Sequence, residues 1–340
     1  MSDDAALLAA ARSLTQTAGL VPPVGLTQLT GGKNNRVFRL GLTDGTSVIL
    51  KSYHNDPRDT RDRLGAEWAF LEYVWSRGVH SVPQPLACDR AAHVALYALV
   101  PGRRLARQEL RRAHIQAAVN FAVAINGAPR EVSQLRPASE ACFSLTEHLA
   151  TVDRRVSRCD AIEPLAPVAA DAQRFVRQTL QPAWVTVRQK IFEGARRSGI
   201  DPAAQIGSHE ICISPSDFGF HNALVDDGGN TTFIDFEYAG RDDPAKLVCD
   251  FFCQPEIPIP VESHVEFRDD VLNGLGASEA TRVRSRLLLD AYRVKWACIM
   301  LNEFLPVGAA RRAFADQKNV ADREFAQLRK AEATVAAIGS

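Results

Sequence analysis

The chain has 340 residues, 46% of them hydrophobic and 24% charged, enough material for two domains or lobes with sizeable cores. Its 40 basic and 40 acidic residues cancel, which excludes a bulk electrostatic pull toward nucleic acid or an anionic membrane.

The opening "MSDDAALLAAARSLTQTAGL" is acidic at its start and has helical period, unlike the basic start and apolar block of a signal peptide. "VGLTQLTGG" and "NRVFRLGLTDGTSVILKSY" then alternate apolar and polar residues, with Thr43-Asp44-Gly45-Thr46 as a turn; strands and a hairpin are expected. Next, Leu64, Trp68, Leu71 and Trp75 fall at helical spacing, with Gly78 as the stop. "SVPQPLACDRAAHVALYALVPGRRL" gives two more short strands, and Pro101-Gly102 marks a change of character. Beyond it the periodicity predicts helices at 108–126, 143–159, 167–196 and 283–304 and in the tail 310–337. The exception is 211–236, which reads as a hairpin around "DDGGN". "APREVSQLRPASEA" and "PEIPIPVESH" read as loops.

The most apolar helical stretch, "RLLLDAYRVKWACIMLNEFL", is broken by Asp290, Arg293 and Lys295, so no membrane insertion is expected. Seven scattered cysteines in apolar company suggest reduced thiols in the cytoplasm. Cys249 and Cys253 with His209 and Cys212 make a metal site on paper, but without a Cys-x-x-Cys pair core packing is the expected role.

The stretch "ISPSDFGFHNALV" (213–225) sets Asp217 and Asn222 five apart in an apolar frame, and Asp235 ends the apolar run "TFI". Such side chains are costly to bury unless a cation sits among them, and they are the hard oxygen ligands that Mg²⁺ takes beside waters and phosphates. Singly, Asp217 capping a turn and Asn222 satisfying backbone groups remain open readings.

Taken together, Asp-x₄-Asn, an apolar strand and Ile-Asp-Phe-Glu resemble the aminoglycoside phosphotransferase and choline kinase family, whose members carry a His-Gly-Asp-x₄-Asn loop and an Ile-Asp-Trp/Phe-Glu segment. The resemblance covers most of 25–255 and the helical C-terminal part. It implies an α+β, two-lobed, protein-kinase-like fold. An N-terminal lobe (1–100) would hold an antiparallel sheet with one helix and bind nucleotide. A larger, mainly helical lobe (101–340) would carry the catalytic loop, metal site and acceptor pocket.

It also implies roles. Lys51, closing "SVILK", matches the lysine on the nucleotide α/β-phosphates, and Glu67 the acid that pairs with it, with Glu72 a lesser competitor. Gly31, Gly32, Asn34 and Asn35 in "LTGGKNNRVFRL" match the nucleotide loop. Main-chain groups near Ala98 and Val100 would receive adenine. Asp217 would orient or deprotonate the substrate hydroxyl, and Asn222 and Asp235 would hold Mg²⁺. The implied activity is ATP- and Mg²⁺-dependent transfer of the γ-phosphate to a hydroxyl of a small polar metabolite, a sugar, aminosugar or amino alcohol. GTP stays open as donor, as does the oligomeric state.

Glu237, Asp242 and Asp243 follow the Asp235 segment and would suit an amine or polyhydroxyl acceptor; local turn and ion-pair contacts are the competing reading. Phe218, Phe220, Tyr238 and Trp296 would wall a cation or fill a core. Two departures stand out: Pro215 replaces the family histidine, and Leu247 stands where an Asp often follows, with Asp250 three residues on. Pro215 motivates the alternative, a catalytically weak nucleotide-binding or scaffold protein. No Gly-x₄-Gly-Lys-Ser/Thr is present, Asp235 is followed by "FEYAG" rather than Phe-Gly, and no Ala-Pro-Glu closes an activation segment, which argues against a P-loop or protein kinase.

Overall fold

The computed structural model describes residues 3–29, 35–54, 61–127, 135–305 and 320–339. In chain order its strands are β1 (Pro23–Leu29), β2 (Arg36–Leu42), β3 (Ser47–Ser52), β4 (Pro85–Asp89), β5 (Val94–Ala98), β6 (Arg103–Arg104), β7 (Cys212–Ser214), β8 (Ala223–Val225), β9 (Thr231–Phe233) and β10 (Gly240–Asp242). The helices are α1 (Asp3–Thr17), α2 (Arg63–Ser76), α3 (Arg112–Ala124), α4 (Leu145–Arg158), α5 (Pro167–Phe175), α6 (Gln181–Arg197), α7 (Pro244–Cys253), α8 (His264–Gly274), α9 (Glu279–Leu301) and α10 (Val320–Ala336). The fold is α+β, with an antiparallel N-terminal sheet and a larger, mostly helical part, as the resemblance implied. Among the described residues no helix is long and apolar enough to cross a membrane.

The chain divides into two compact units. The first comprises Met1–Glu109, Ser133–Ser139 and Pro215–Gly240. Its five-stranded sheet has the order β1-β2-β3-β5-β4, each neighbouring pair antiparallel. Side chains alternate between faces along a strand. On one face Phe38, Leu40, Leu42, Val48, Leu50, Val94 and Leu96 pack with Leu7, Ala11 and Leu14 of α1. The other face carries the intervening residues: Lys51 stands opposite Ala95, and Tyr97 opposite Ile49. α2 starts at the N-cap Asp62, whose carboxylate accepts the Gly65 amide at 2.8 Å.

The expected hairpin is present as β8 and β9, in register Ala223↔Phe233, and β6 pairs on its other side. Asp226 closes its turn by accepting from the Asn230 amide at 2.8 Å. Gly102 lets β6 approach: it has φ +122°, and a Cβ there would stand 2.7 Å from the Val225 carbonyl oxygen.

The second unit comprises Leu110–Val132, Glu140–Ser214 and Arg241–Ser340. α9 runs through its core, where Leu288, Tyr292, Ala297 and Leu301 meet apolar residues of α4, α6, α7 and α10. Helices 167–175 and 181–197 join through a π-turn at 176–180, so the long periodic stretch is nearly continuous. Sequence periodicity missed α7 and α8. In α7 nearly every residue is buried, Lys246 and Asp250 included, so no amphipathic stripe marks it.

Candidate active site

Lys51, near the end of β3, carries an ammonium with almost no solvent contact. Its Nζ lies 2.6 Å from Glu67 Oε2 and 2.6 Å from Asp235 Oδ1. Burial by itself would lower its pKa, but Asp235, Glu67 and Glu237 outweigh that and hold it well above the ordinary lysine range. Glu67, on the first turns of α2, is pushed up by burial against the opposing pull of Lys51. It is held by further donors: Tyr53 gives its phenolic proton to Oε2 at 2.7 Å, and the Phe236 amide approaches Oε1 at 3.3 Å.

The segment 215–222 is pinned by its aromatics. Phe218 and Phe220 are buried against Phe233 of β9, with ring centroids 5.0 and 6.4 Å apart. Between these anchors the backbone folds sharply. Ser216 takes φ +66°, unusual for a side-chain-bearing residue, and the Asp217 amide bonds the Pro215 carbonyl at 3.0 Å. Asp217 keeps about a third of its side chain exposed (34%). The Asn222 amide Nδ2 donates to the Asp217 carbonyl at 3.1 Å. The Ile234 amide donates to the Asn222 carbonyl at 2.9 Å, extending the hairpin pairing and setting Asn222 beside the start of the Asp235 segment. Asp235 itself sits at φ +68°, a strained position that the Lys51 contact and this hydrogen bond stabilise. Lys51, Glu67, Asp217, Asn222 and Asp235 thus belong to one compact unit.

Other sequence-selected residues fall elsewhere. Gly31, Gly32 and Asn34 lie outside the described residues. Asn35 is described, and its side chain is already committed: Nδ2 donates to Glu237 Oε2 and Oδ1 accepts the His54 amide at 3.3 Å. One of its two Nδ2 protons is thereby used on Glu237. Glu237 is buried, held by Asn35 and 4.0 Å from Arg63, so its carboxylate braces the Asp235 segment rather than facing an acceptor. Asp242 and Asp243, in the second unit, are wholly enclosed. Asp242 is bonded by Lys246 and by the Cys142 amide at 3.1 Å. Asp243 caps α7 through the Ala245 amide at 2.9 Å, and meets Arg284 Nε at 2.8 Å and His148 Nε2 at 3.2 Å. Direct acceptor contact by either is corrected: both hold their own unit together. Asp250 binds Lys295 at 2.8 Å and the Trp296 indole at 3.0 Å, and Trp296 fills the core of the second unit. Phe218 and Phe220 are core, and Tyr238 lies beside the guanidinium groups of Arg61 and Arg63. The Ala98 amide is taken by Gln84 O at 2.9 Å, whereas the amides of Leu99 and Val100 make no hydrogen bond among the described residues.

The family model of the phosphotransferase enzyme family matches residues 25–288. This chain belongs to that family. The resemblance read from "PSDFGFHNAL" and "FIDFEYAG" is therefore sound, and the protein is a phosphotransferase. Among solved structures, this phosphotransferase is similar to a spectinomycin phosphotransferase in complex with ADP and spectinomycin, at 13% identity and TM-score 0.63, over 97% of both chains. It is similar to a choline/ethanolamine kinase family protein from Mesorhizobium loti, at 17% identity and TM-score 0.56, over 97% of this chain and 99% of that one. It is also similar to an amicoumacin kinase in complex with AMP-PNP, Ca²⁺ and Ami, at 17% identity and TM-score 0.52, over 99% and 96%. At these identities the likeness is one of fold. A search of curated protein sequences finds no match.

Two features of the phosphotransferase escaped sequence reasoning. His221 Nε2 lies 3.2 Å from Asp217 Oδ1. A carboxylate only accepts, so this nitrogen carries the proton and aims the Asp217 carboxylate. The signal was in "DFGFHN": with Pro215 in the family histidine's place, a histidine four residues after Asp217 was the nearest replacement. The second feature is the pair Tyr53 and Tyr97, whose hydroxyls lie 2.7 Å apart behind Glu67. Their alternation with Lys51 along β3 and β5 would have put them on its face of the sheet.

Proposed function

We propose that this phosphotransferase moves the γ-phosphate of ATP, with Mg²⁺, to a hydroxyl of a small polar metabolite. The observation that carries the reading is the buried ammonium of Lys51, gripped by Glu67 and Asp235 in the unit that also holds Asp217 and Asn222. In this reading Lys51 aligns the nucleotide phosphates and Glu67 fixes its position. The amides of Leu99 and Val100, which make no hydrogen bond among the described residues, support adenine recognition just past β5. Asp217, aimed by His221, accepts the proton of the acceptor hydroxyl as it attacks in line. The nucleotide-binding role falls to the lobe 1–100 and the catalytic and metal roles to 101–340.

The donor set suits a hard divalent ion. With Nδ2 of Asn222 donated to Asp217 O, its Oδ1 is left for a cation, and the half-exposed Asp235 carboxylate keeps one oxygen beyond its Lys51 contact. Among the described residues no trio of His, Cys, Asp and Glu makes a metal cage. A site of two protein oxygens is the kind Mg²⁺ uses, since it keeps waters and binds substrate phosphates. When bound, it would neutralise charge on the β- and γ-phosphates.

The acceptor class rests on the family and on the molecules named for similar folds, spectinomycin and choline or ethanolamine. Sugars, aminosugars and amino alcohols form the test panel. Nucleotide consumption with Mg²⁺ is measured across it, with Asp217→Ala alongside. Turnover with one acceptor class, absent in the variant, is the expected result. Mg-nucleotide binding without turnover on any acceptor would favour the alternative, a catalytically weak nucleotide-binding protein. No nucleotide binding at all would remove the reading.

A further inference from the structure

We propose that Tyr53 and Tyr97 are positioning residues of the nucleotide site, forming a donor relay from Tyr97 to Tyr53 to Glu67 that holds Glu67 where it grips Lys51. The inference rests on the reading of Lys51 as the lysine that meets the nucleotide phosphates.

Direction follows from the acceptor at the end of the chain. The Glu67 carboxylate already receives Lys51 and can only accept, so Tyr53 donates its single proton to Oε2 at 2.7 Å. The 2.7 Å contact between the phenols then has one arrangement: Tyr97 donates to the oxygen of Tyr53. Both rings are nearly free of solvent, at 5% and 3% exposure. Burial, with Glu67 nearby, raises both phenols far above their ordinary range, so both keep the protons the relay needs.

Packing alone gives no reason for the two hydroxyls. Phenylalanine would fill almost the same volume without the cost of burying a polar group. Tyr53 also sets its ring 5.1 Å from Lys51 Nζ, and a phenylalanine would keep that contact. What phenylalanine would lose is the hydrogen bond to Glu67. A glutamate side chain has three rotatable bonds, and its carboxylate here is fixed by donors from three directions: Lys51, Tyr53 and the Phe236 amide. Removing one frees Glu67 to swing, and Lys51 with it, while the sheet and α2 stay in place.

The test is calorimetric binding of Mg-ADP to the full chain, which needs no acceptor. Tyr53→Phe is expected to weaken binding about fivefold and Tyr97→Phe less, the loss of one and of a more remote hydrogen bond. In a Glu67→Ala background Tyr53→Phe is expected to have no further effect, because the acceptor it positions is gone. The same factor in both backgrounds would mean a general structural effect and overturn the proposal. So would unchanged affinity in Tyr53→Phe and Tyr97→Phe while Lys51→Met loses binding, an outcome that leaves the nucleotide reading standing. Wild-type protein that binds no Mg-ADP would overturn both. Should Tyr53→Phe fail to fold, Tyr97→Phe, which does not touch Glu67, carries the same cycle.

Discussion

Lys51 Nζ stands 2.6 Å from Asp235 Oδ1, joining residues 184 positions apart in the sequence. The contact ties the end of β3 to the segment after β9, and Glu67 completes it from α2. It also distinguishes the two aspartates, because the Asp217 carboxylate meets His221 Nε2 at 3.2 Å.

Asp217→Ala is expected to leave Mg-ADP affinity within about twofold of wild type while lowering turnover by a factor of about 10² to 10⁴, the usual reach of a general base. Asp235→Ala is expected to weaken Mg-ADP binding itself. Calorimetry beside steady-state kinetics checks both, and equal losses of nucleotide affinity in the two variants would refute this division of roles.

His221→Phe removes the donor that aims Asp217 without touching Lys51. Turnover is expected to fall about tenfold at unchanged nucleotide affinity, and His221→Gln to recover part of it through its amide. The kinetics are read with saturating nucleotide on whichever acceptor the panel identifies.

Asp243→Ala would leave Arg284 and His148 enclosed without their anion. Loss of one partner from a buried ion pair costs about 3–5 kcal/mol, so a large drop in urea midpoint is expected. A fall no greater than that of a surface Asp→Ala variant such as Asp171→Ala would show that the network contributes little.

Two buried histidines set opposite pH limits on stability. Burial would depress His148, but Cys142 and Asp243 outweigh it and bring the imidazole up to about 9. Its contribution is complete below the unfolded value of about 6.5 and lost as pH rises toward about 9. His264 is lowered to about 4 by burial and by Arg268 and Arg293. The unfolded chain binds that proton more readily, so stability falls as pH drops from about 6.5 toward 4. Urea midpoints measured across pH should peak between these limits, His148→Gln should flatten the alkaline side, and His264→Gln the acid side.

Gly240→Ala tests the packing behind Asp235. An added Cβ would stand 2.4 Å from the Arg136 carbonyl and 2.6 Å from the Ala138 amide nitrogen, both backbone atoms that cannot swing aside. A loss of about 1–3 kcal/mol is expected from such overpacking, measured as a lower thermal midpoint.

Local pattern carried the sequence reading a long way. Period-two alternation marked β2 and β3, helical spacing marked α2, and the turn "DDGGN" marked the β8–β9 hairpin, because each depends on neighbours in the chain. The spacing of Asp217, Asn222 and Asp235 was enough to point to the family, since phosphoryl transfer constrains which side chains appear and in what order. What the chain could not show locally was the fate of each charge. Glu237, Asp242 and Asp243 read either as acceptor ligands or as local ion-pair partners; Asp242 does take its local partner Lys246, while Asn35 reaches Glu237, and Arg284 and His148 reach Asp243, from distant segments. Likewise, nothing in the sequence near Glu67 announced Tyr53 or Tyr97; the register of β3 against β5 brought them there. Side-chain type and spacing are written in the sequence. Whether a carboxylate meets solvent, substrate or an arginine is decided by long-range packing, because burial and pairing depend on residues the chain has yet to bring near.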